Sequence, residues 1–481
     1  MAREALRARS ERLREAVQSL SSEVAGGAQG SDTELVEAHG PTPLSTCQSW
    51  FFHSGHFDDL NRWNMAGLTH LGRRLDRSLL RETVHALLSR HHVLRARFEL
   101  DERGWRQEIP RETDLDAART LVFVRRSGAS AAERAAIVRA EAERAQADLS
   151  LERGRLLKFV HFDFGPDSPE QLLFVVHHVV IDAVSHLALF EDFETAYLQR
   201  LRGEPLTLKP AGSAFRPWAL AFEAHARDVV QRERALWLGL SELTLGALPL
   251  DHAVGSDQNV ESSTLTLSRS IGRDELRRLG ERARAGPLGN VPSALLFAVA
   301  EALFAWTGQP RLSVKRMSSG RFLLGEASPH DVTRTVGPFA FAGLALFERF
   351  QGRSAGERAL DFARQLDRIP NAGVGAEIVA QFCPQAEVRR AVRDLLSRNQ
   401  VLFNYFVTAE LRASELAESV SLYRDATRGH RDRRPDVLEW TFSESSAGLR
   451  IELGFSRNLH RTETMERLLA AFAAKLDGAA A

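Results

Sequence analysis

The apolar residues from Leu172 to Val176 form a short, unbroken run that stops abruptly at His177 and His178. A run of that length predicts a buried strand, with the histidines where strand gives way to loop. Elsewhere apolar positions recur at helical spacing. Ser78 to Ser89, Ala131 to Ala147 and Ser293 to Trp306 each read as a helix with one face in a core. Near the start, Leu6, Leu13, Val17, Leu20 and Val24 make a stripe among Arg and Glu, and Gly26, Gly27 and Gly30 break it. Residues 1–40 are therefore expected to be an amphipathic helix and a link, packed on the body or docking a partner. The segment KPAGSAFRP, Lys209 to Pro217, interrupts the periodic pattern and marks a boundary. We expect an α/β protein with one unit over 41–212 and another over 213–481.

Composition narrows the class. A chain of 481 residues is long for one simple core, and 44% apolar with 26% charged residues is ordinary for a globular protein. The 63 basic and 63 acidic residues balance to zero, and no basic tract points to nucleic acid. Cys47 and Cys383 are the two cysteines, so no disulfide framework is implied and a reducing cytoplasm fits. No apolar run is long enough to span a bilayer, and the charged N-terminus lacks a signal-peptide core.

His178 is the leading candidate for chemistry. An imidazole titrates near neutrality and can accept or return a proton at cellular pH. Asp182, four residues on, can hold the turn or orient the ring. Histidines at a strand end also serve packing alone. A zinc site would need cysteine pairs or HExxH spacing, neither of which is present, and no metal is expected. No G-x-S-x-G context supports a serine nucleophile, and no strand-to-helix glycine pattern makes a phosphate cradle.

The stretch HHVVIDA, His177 to Ala183, resembles the HHxxxDG signature of the condensation superfamily of nonribosomal peptide synthetases. PLSTCQSWFF (Pro43 to Phe52), NRWNMAG (Asn61 to Gly67), LLSRHHVLRARF (Leu87 to Phe98) and ADLSLERGRLLKFVHF (Ala147 to Phe162) resemble further motifs of that family. Within it, VVIDAVSHLALFEDFETAY, TRTVGPFAF, RIPNAGVGAEI and FNYF look most like the epimerization branch. The resemblance implies two chloramphenicol-acetyltransferase-like lobes in a V, with a tunnel between them and His178 at its middle. It also implies substrates carried on the phosphopantetheine arm of a peptidyl or acyl carrier protein, with no cofactor bound by this chain. The chain shows no carrier or adenylation motif and reads as free-standing.

Three departures matter. Where the epimerization branch has EGHGRE, this chain has MSSGRF, so Met317 stands for the first Glu, Ser319 for the His and Phe322 for the last Glu. A thioether carries no titratable proton. Ala183 replaces the glycine after the aspartate, and Pro338 and Ala340 replace Trp and Thr of TVGWFT. These changes favour a condensation-type acyltransferase joining a carrier-bound acyl or aminoacyl group to an amine, or a hydroxyl. His178 would be catalytic, with His177, Asp182 and Arg95 in support and Arg95 expected as the buried partner of Asp182. Ala183, Ser185, Met317, Ser319, Asn404 and Tyr405 are expected along the tunnel. The alternatives are epimerization of a carrier-bound aminoacyl or peptidyl thioester, and a catalytically silent recruiter of a carrier protein or tailoring enzyme.

Overall fold

A computed structural model describes residues 38–111, 117–325, 328–407, 415–423 and 427–478. The helix expected from Leu6 to Val24 lies outside the described residues. The first half runs β1 (Gly40–Thr42), α1 (Thr46–His53), β2 (Asn64–Leu71), α2 (Arg77–Arg90), β3 (Arg97–Asp101) and β4 (Gly104–Ile109). It continues with β5 (Leu121–Arg125), α3 (Ala131–Ala147), β6 (Leu157–Asp163), β7 (Gln171–His177) and α4 (Ala183–Leu201). The second half opens with α5 (Phe215–Ser241), β8 (Thr264–Gly272), α6 (Val291–Thr307), β9 (Arg311–Ser319) and β10 (Ala340–Glu348). It closes with α7 (Gly375–Phe382), α8 (Ala386–Ser397), β11 (Val401–Val407), β12 (Ala417–Leu422), β13 (Leu438–Ser445), β14 (Gly448–Ser456) and α9 (Thr462–Gly478).

Local chemistry sets the helix starts. Ser130 and Glu133 form a reciprocal capping box at the head of α3. Asp76 caps α2 through the amides of Ser78 and Leu79. Asn290 caps α6, which ends at Gly308 in the left-handed conformation. These caps account for the close agreement between the three expected helices and the observed ones.

Two large sheets build two lobes. One has the order β12-β2-β7-β6-β5, the other β10-β9-β11-β13-β14-β8, and a small sheet β1-β4-β3 stands beside the first. The second large sheet comes entirely from residues after 213. The first does not, because β12 returns from the second half to pair antiparallel with β2. The cores are shared in the same way. One cluster joins Phe51, Phe174, Val180 and Phe193 to Trp218, Phe339, Leu344 and Val379. Another fills the second lobe around Leu295, Phe304, Val314, Trp440 and Phe472. The stretch near 213 lies between α4 and α5, and the first core draws on residues from both sides of it.

Candidate functional site

Strand β7 puts Leu172, Phe174 and Val176 into the first core and Leu173 and Val175 against α3 on its other face, and delivers His177 and His178 to its end. His177 is fully buried. Its Nε2 donates to the Leu60 carbonyl at 2.8 Å, and its Nδ1 accepts from the Val179 amide at 3.2 Å. A carbonyl cannot donate, so this pairing defines the neutral tautomer protonated on Nε2. Burial holds its pKa down to about 4. Both nitrogens are engaged, and His177 shapes the turn.

His178 opens a 3-10 turn, His178–Val180. Its amide donates to the Trp63 carbonyl at 2.7 Å, and its ring stacks on the Trp63 indole with centroids 4.3 Å apart and planes 10° apart. The Gln48 side chain of α1 donates to the Val179 carbonyl at 2.9 Å and ties down the rest of the turn. His178 keeps part of its surface open. Burial lowers its pKa, against the pull of its own carbonyl, the Ile181 carbonyl and Asp182. The ring is therefore neutral at physiological pH, the form that accepts a proton. His186, one helical turn along α4, is a second buried imidazole that sequence reasoning did not single out. Its pKa is lowered to about 4 by burial and by His178, and its ring lies 4.6 Å from that of Phe174.

Asp182 caps α4 by accepting from the Ser185 amide at 2.7 Å. Its cationic partner is Arg321, at 2.9 Å, and not Arg95. Arg321 follows β9 in the 3-10 turn Gly320–Phe322, so a cation of the second half closes on a carboxylate of the first. Its guanidinium also donates to the Ser185 hydroxyl at 2.7 Å and to the Thr335 and Val332 carbonyls, and lies 4.2 Å over the Phe339 ring. Arg95 is equally buried, but its guanidinium turns to the carbonyls of Leu88, Ser89 and Pro110. The expected pair fails because Arg95, at the end of the turn after α2, points its guanidinium back to the last turn of α2 and across to Pro110 after β4. The signal for Arg321 was present in sequence, in the Gly-Arg of MSSGRF that matches EGHGRE.

The residues expected along a tunnel divide. Ser185 is fully buried, and its hydroxyl donates to the Gly337 carbonyl at 2.9 Å and accepts from Arg321. It belongs to the joint between the halves and lines no open space. Ala183 is exposed at the first position of α4. It has no positive φ, so the turn does not require the usual glycine. Met317 and Ser319 are half-buried on β9, and Ser319 caps the Arg321 turn through the Arg321 amide at 3.4 Å. Strands β9 and β11 run parallel, with Leu402 opposite Lys315 and Phe403 opposite Arg316. Strand alternation then puts Asn404 on the face of Lys315 and Met317. Tyr405 takes the other face, packs on the second-lobe core and donates its hydroxyl to Glu444. The period of two excludes it from the face that Asn404 shares. Among the described residues no group of three or more His, Cys, Asp or Glu gathers as a metal site, and no helix is long and apolar enough to cross a membrane.

A histidine turn thus ends a central strand and is locked from the second half of the chain by an arginine. The profile of the condensation domain family matches residues 38–481, and the chain belongs to that family. It is 28% identical over 441 residues to a component of the linear gramicidin synthase of Brevibacillus parabrevis, covering 89% of this chain and 6% of that protein. It is 28% identical over 356 residues to surfactin synthase subunit 1 of Bacillus subtilis strain 168, covering 73% of this chain and 10% of that one. The chain thus spans about a tenth or less of the length of these relatives. In structure it is similar to the epimerization domain from the third module of tyrocidine synthetase B, with TM-score 0.78, 23% identity, and 92% and 97% of the two chains covered. It is also similar to the X-domain from teicoplanin biosynthesis, with TM-score 0.68, 17% identity, and 95% and 97% covered. These likenesses show the chloramphenicol-acetyltransferase-like fold.

Proposed function

We propose that this protein is a condensation-type acyltransferase of nonribosomal peptide or related biosynthesis. It would join an acyl or aminoacyl group, carried as a thioester on a phosphopantetheine arm, to an amine. The observation that carries the reading is the placement of His178: a partly open ring stacked on Trp63, four residues before the Asp182 that Arg321 locks, where burial lowers its pKa. A neutral imidazole held in one orientation can take the proton that the attacking amine releases and pass it to the departing sulfur. Such general-base help contributes on the order of 10²–10⁴ in rate. His177, with both nitrogens engaged, would position the turn. Met317 puts a thioether where the epimerization motif has a carboxylic acid, which argues against two-sided proton exchange at that position.

Epimerization of a tethered aminoacyl or peptidyl thioester is kept as the second reading, on the fold likeness to an epimerization domain. The likeness to the X-domain, a structure of which is a complex with OxyB, keeps recruitment of a partner as a third. Incubation with loaded carrier protein and a set of amines, read by intact mass and chiral analysis, separates them. Acyl loss with a new amide supports condensation. Inversion without acyl loss supports epimerization, and binding with neither supports recruitment.

A further inference from the structure

Met317 leaves its face of the site without a carboxyl, yet a carboxyl stands one strand away. The register of β9 and β10 sets Ala342 directly opposite Met317. Strand β10 is the edge of its sheet, and the Ala342 amide donates to Glu377 Oε2 at 3.4 Å. Glu377 lies in the first turn of α7, half-buried, and α7 packs on both β10 and α1. The same α1 reaches the histidine turn through Gln48. Its Cys47 thiol is raised by burial and then by the charges of Glu377 and Asp182, so one side chain of α1 senses both carboxylates.

An acid in the first turn of a helix is usually exposed and stabilised by the helix dipole. Glu377 differs. Burial lifts its pKa to about 7, against the Ala342 amide and Lys315. Among the described residues it makes no salt bridge, and Lys315 is itself bound to Asp436 at 2.8 Å. Arg316, beside Met317 on β9, donates to the Ala372 carbonyl at 3.4 Å and keeps its buried Nε without a partner. Glu233 of α5, packed against Gly375, accepts from Trp237 and Asn371, and Arg393 of α8 donates to the Ala380 carbonyl. A half-buried carboxyl with one long hydrogen bond and no cation of this chain on it is costly to ionise and gains from a cationic partner.

We propose that Glu377 is an ammonium-binding group of the His178 site, receiving the amine substrate and taking its first proton in place of the carboxyl absent at residue 317. The assignment rests on the acyl-transfer reading. An amine arrives as R–NH3+ and must lose two protons to become an amide. The first passes to the Glu377 carboxylate. The freed amine forms the C–N bond at the thioester carbonyl, and the second proton moves through His178 to the sulfur as the C–S bond breaks. Amide and thiol leave, and the proton on Glu377 returns to solvent.

The test is titration calorimetry of the full-length protein with L-alanyl-N-acetylcysteamine thioester, against its N-acetylated, uncharged form. Wild type should prefer the ammonium form, and its affinity should rise between pH 6 and pH 7.5 as Glu377 ionises. Glu377→Gln should bind that form about tenfold or more weakly, as loss of a charge-assisted contact does, with unchanged affinity for the acetylated probe. Met317→Glu added to Glu377→Gln should restore part of the loss. Equal affinity of Glu377→Gln and wild type, or a wild type indifferent to the ammonium, overturns the proposal. If Glu377→Gln does not fold, the wild-type pH titration decides, because flat affinity across that range also overturns it. Ammonium binding lost in Glu377→Gln, with no amide ever made by wild type, would overturn the acyl-transfer reading alone.

Discussion

Arg321 shows what one side chain does here. Its guanidinium binds the Asp182 carboxylate, the Ser185 hydroxyl and two backbone carbonyls, and so fixes the head of α4 directly after the histidine turn. Burial lowers its pKa while Asp182 raises it, as expected of a charge kept inside by its partner. Removing one member of such a pair strands the other, at roughly 3–5 kcal/mol. Arg321→Ala and Asp182→Ala should each lose about that much stability in urea unfolding. Their double mutant should lose far less than the sum. Arg95→Ala combined with Asp182→Ala should be additive, since Arg95 reaches carbonyls at the end of α2 and after β4 and not Asp182. Strong Arg95–Asp182 coupling would refute the assignment of partners. His177, His178 and Asp182 were legible in sequence because they lie within six residues and act locally. The partner of Asp182 was not, because it lies 139 residues away and is chosen by tertiary packing.

Strands β2 and β7 decide where the site sits. Their register places Gly67 opposite Phe174 and Asn64 opposite His177, so packing along the ladder sets the height of the histidines. A Cβ on Gly67 would lie 2.5 Å from the Phe174 ring. That ring also touches His186 and Phe190. Gly67→Ala should therefore push β7 or tilt Phe174 and cost about 1–3 kcal/mol, as overpacking does. It should also lower turnover more than a surface substitution of equal stability cost. Thermal unfolding and single-turnover assays check both, and an unchanged melting temperature would show that β2 relaxes freely. Element identities were readable from period and caps, so Ala131 to Ala147 is the helix the pattern predicts. The pairing of β12 with β2 was not readable, since a six-residue strand does not name a partner from the other half.

Across the whole molecule, imidazoles are buried neutral around the joint between the halves. His177 and His186 are both held at about 4 by burial, below the usual value of 6.5. Between these values the unfolded chain binds protons that the folded chain cannot. Their contribution is thus fully present above pH 6.5 and is lost as pH falls toward 4, on the order of a few kcal/mol in sum. Glu377, raised to about 7, has the opposite sign over part of the range but is one group against several. Urea midpoints should fall steadily from pH 7.5 to pH 5, and a flat or rising profile would mean that these rings are protonated in the folded state.

Joint ownership of the first core by both halves makes the site a property of the whole fold, and what remains is which bond that site makes. Single turnover of an L-aminoacyl carrier protein with an amine in deuterated water, for wild type and His178→Ala, decides it. Mass and chirality of product and of remaining thioester are read together. Acyl transfer through His178 predicts acyl loss matched by a new L-configured amide, with little deuterium at the α-carbon. It also predicts a folded His178→Ala protein slower by about 10²–10⁴. A thioester that stays on its carrier while its α-carbon takes up deuterium and approaches a D/L mixture would contradict it.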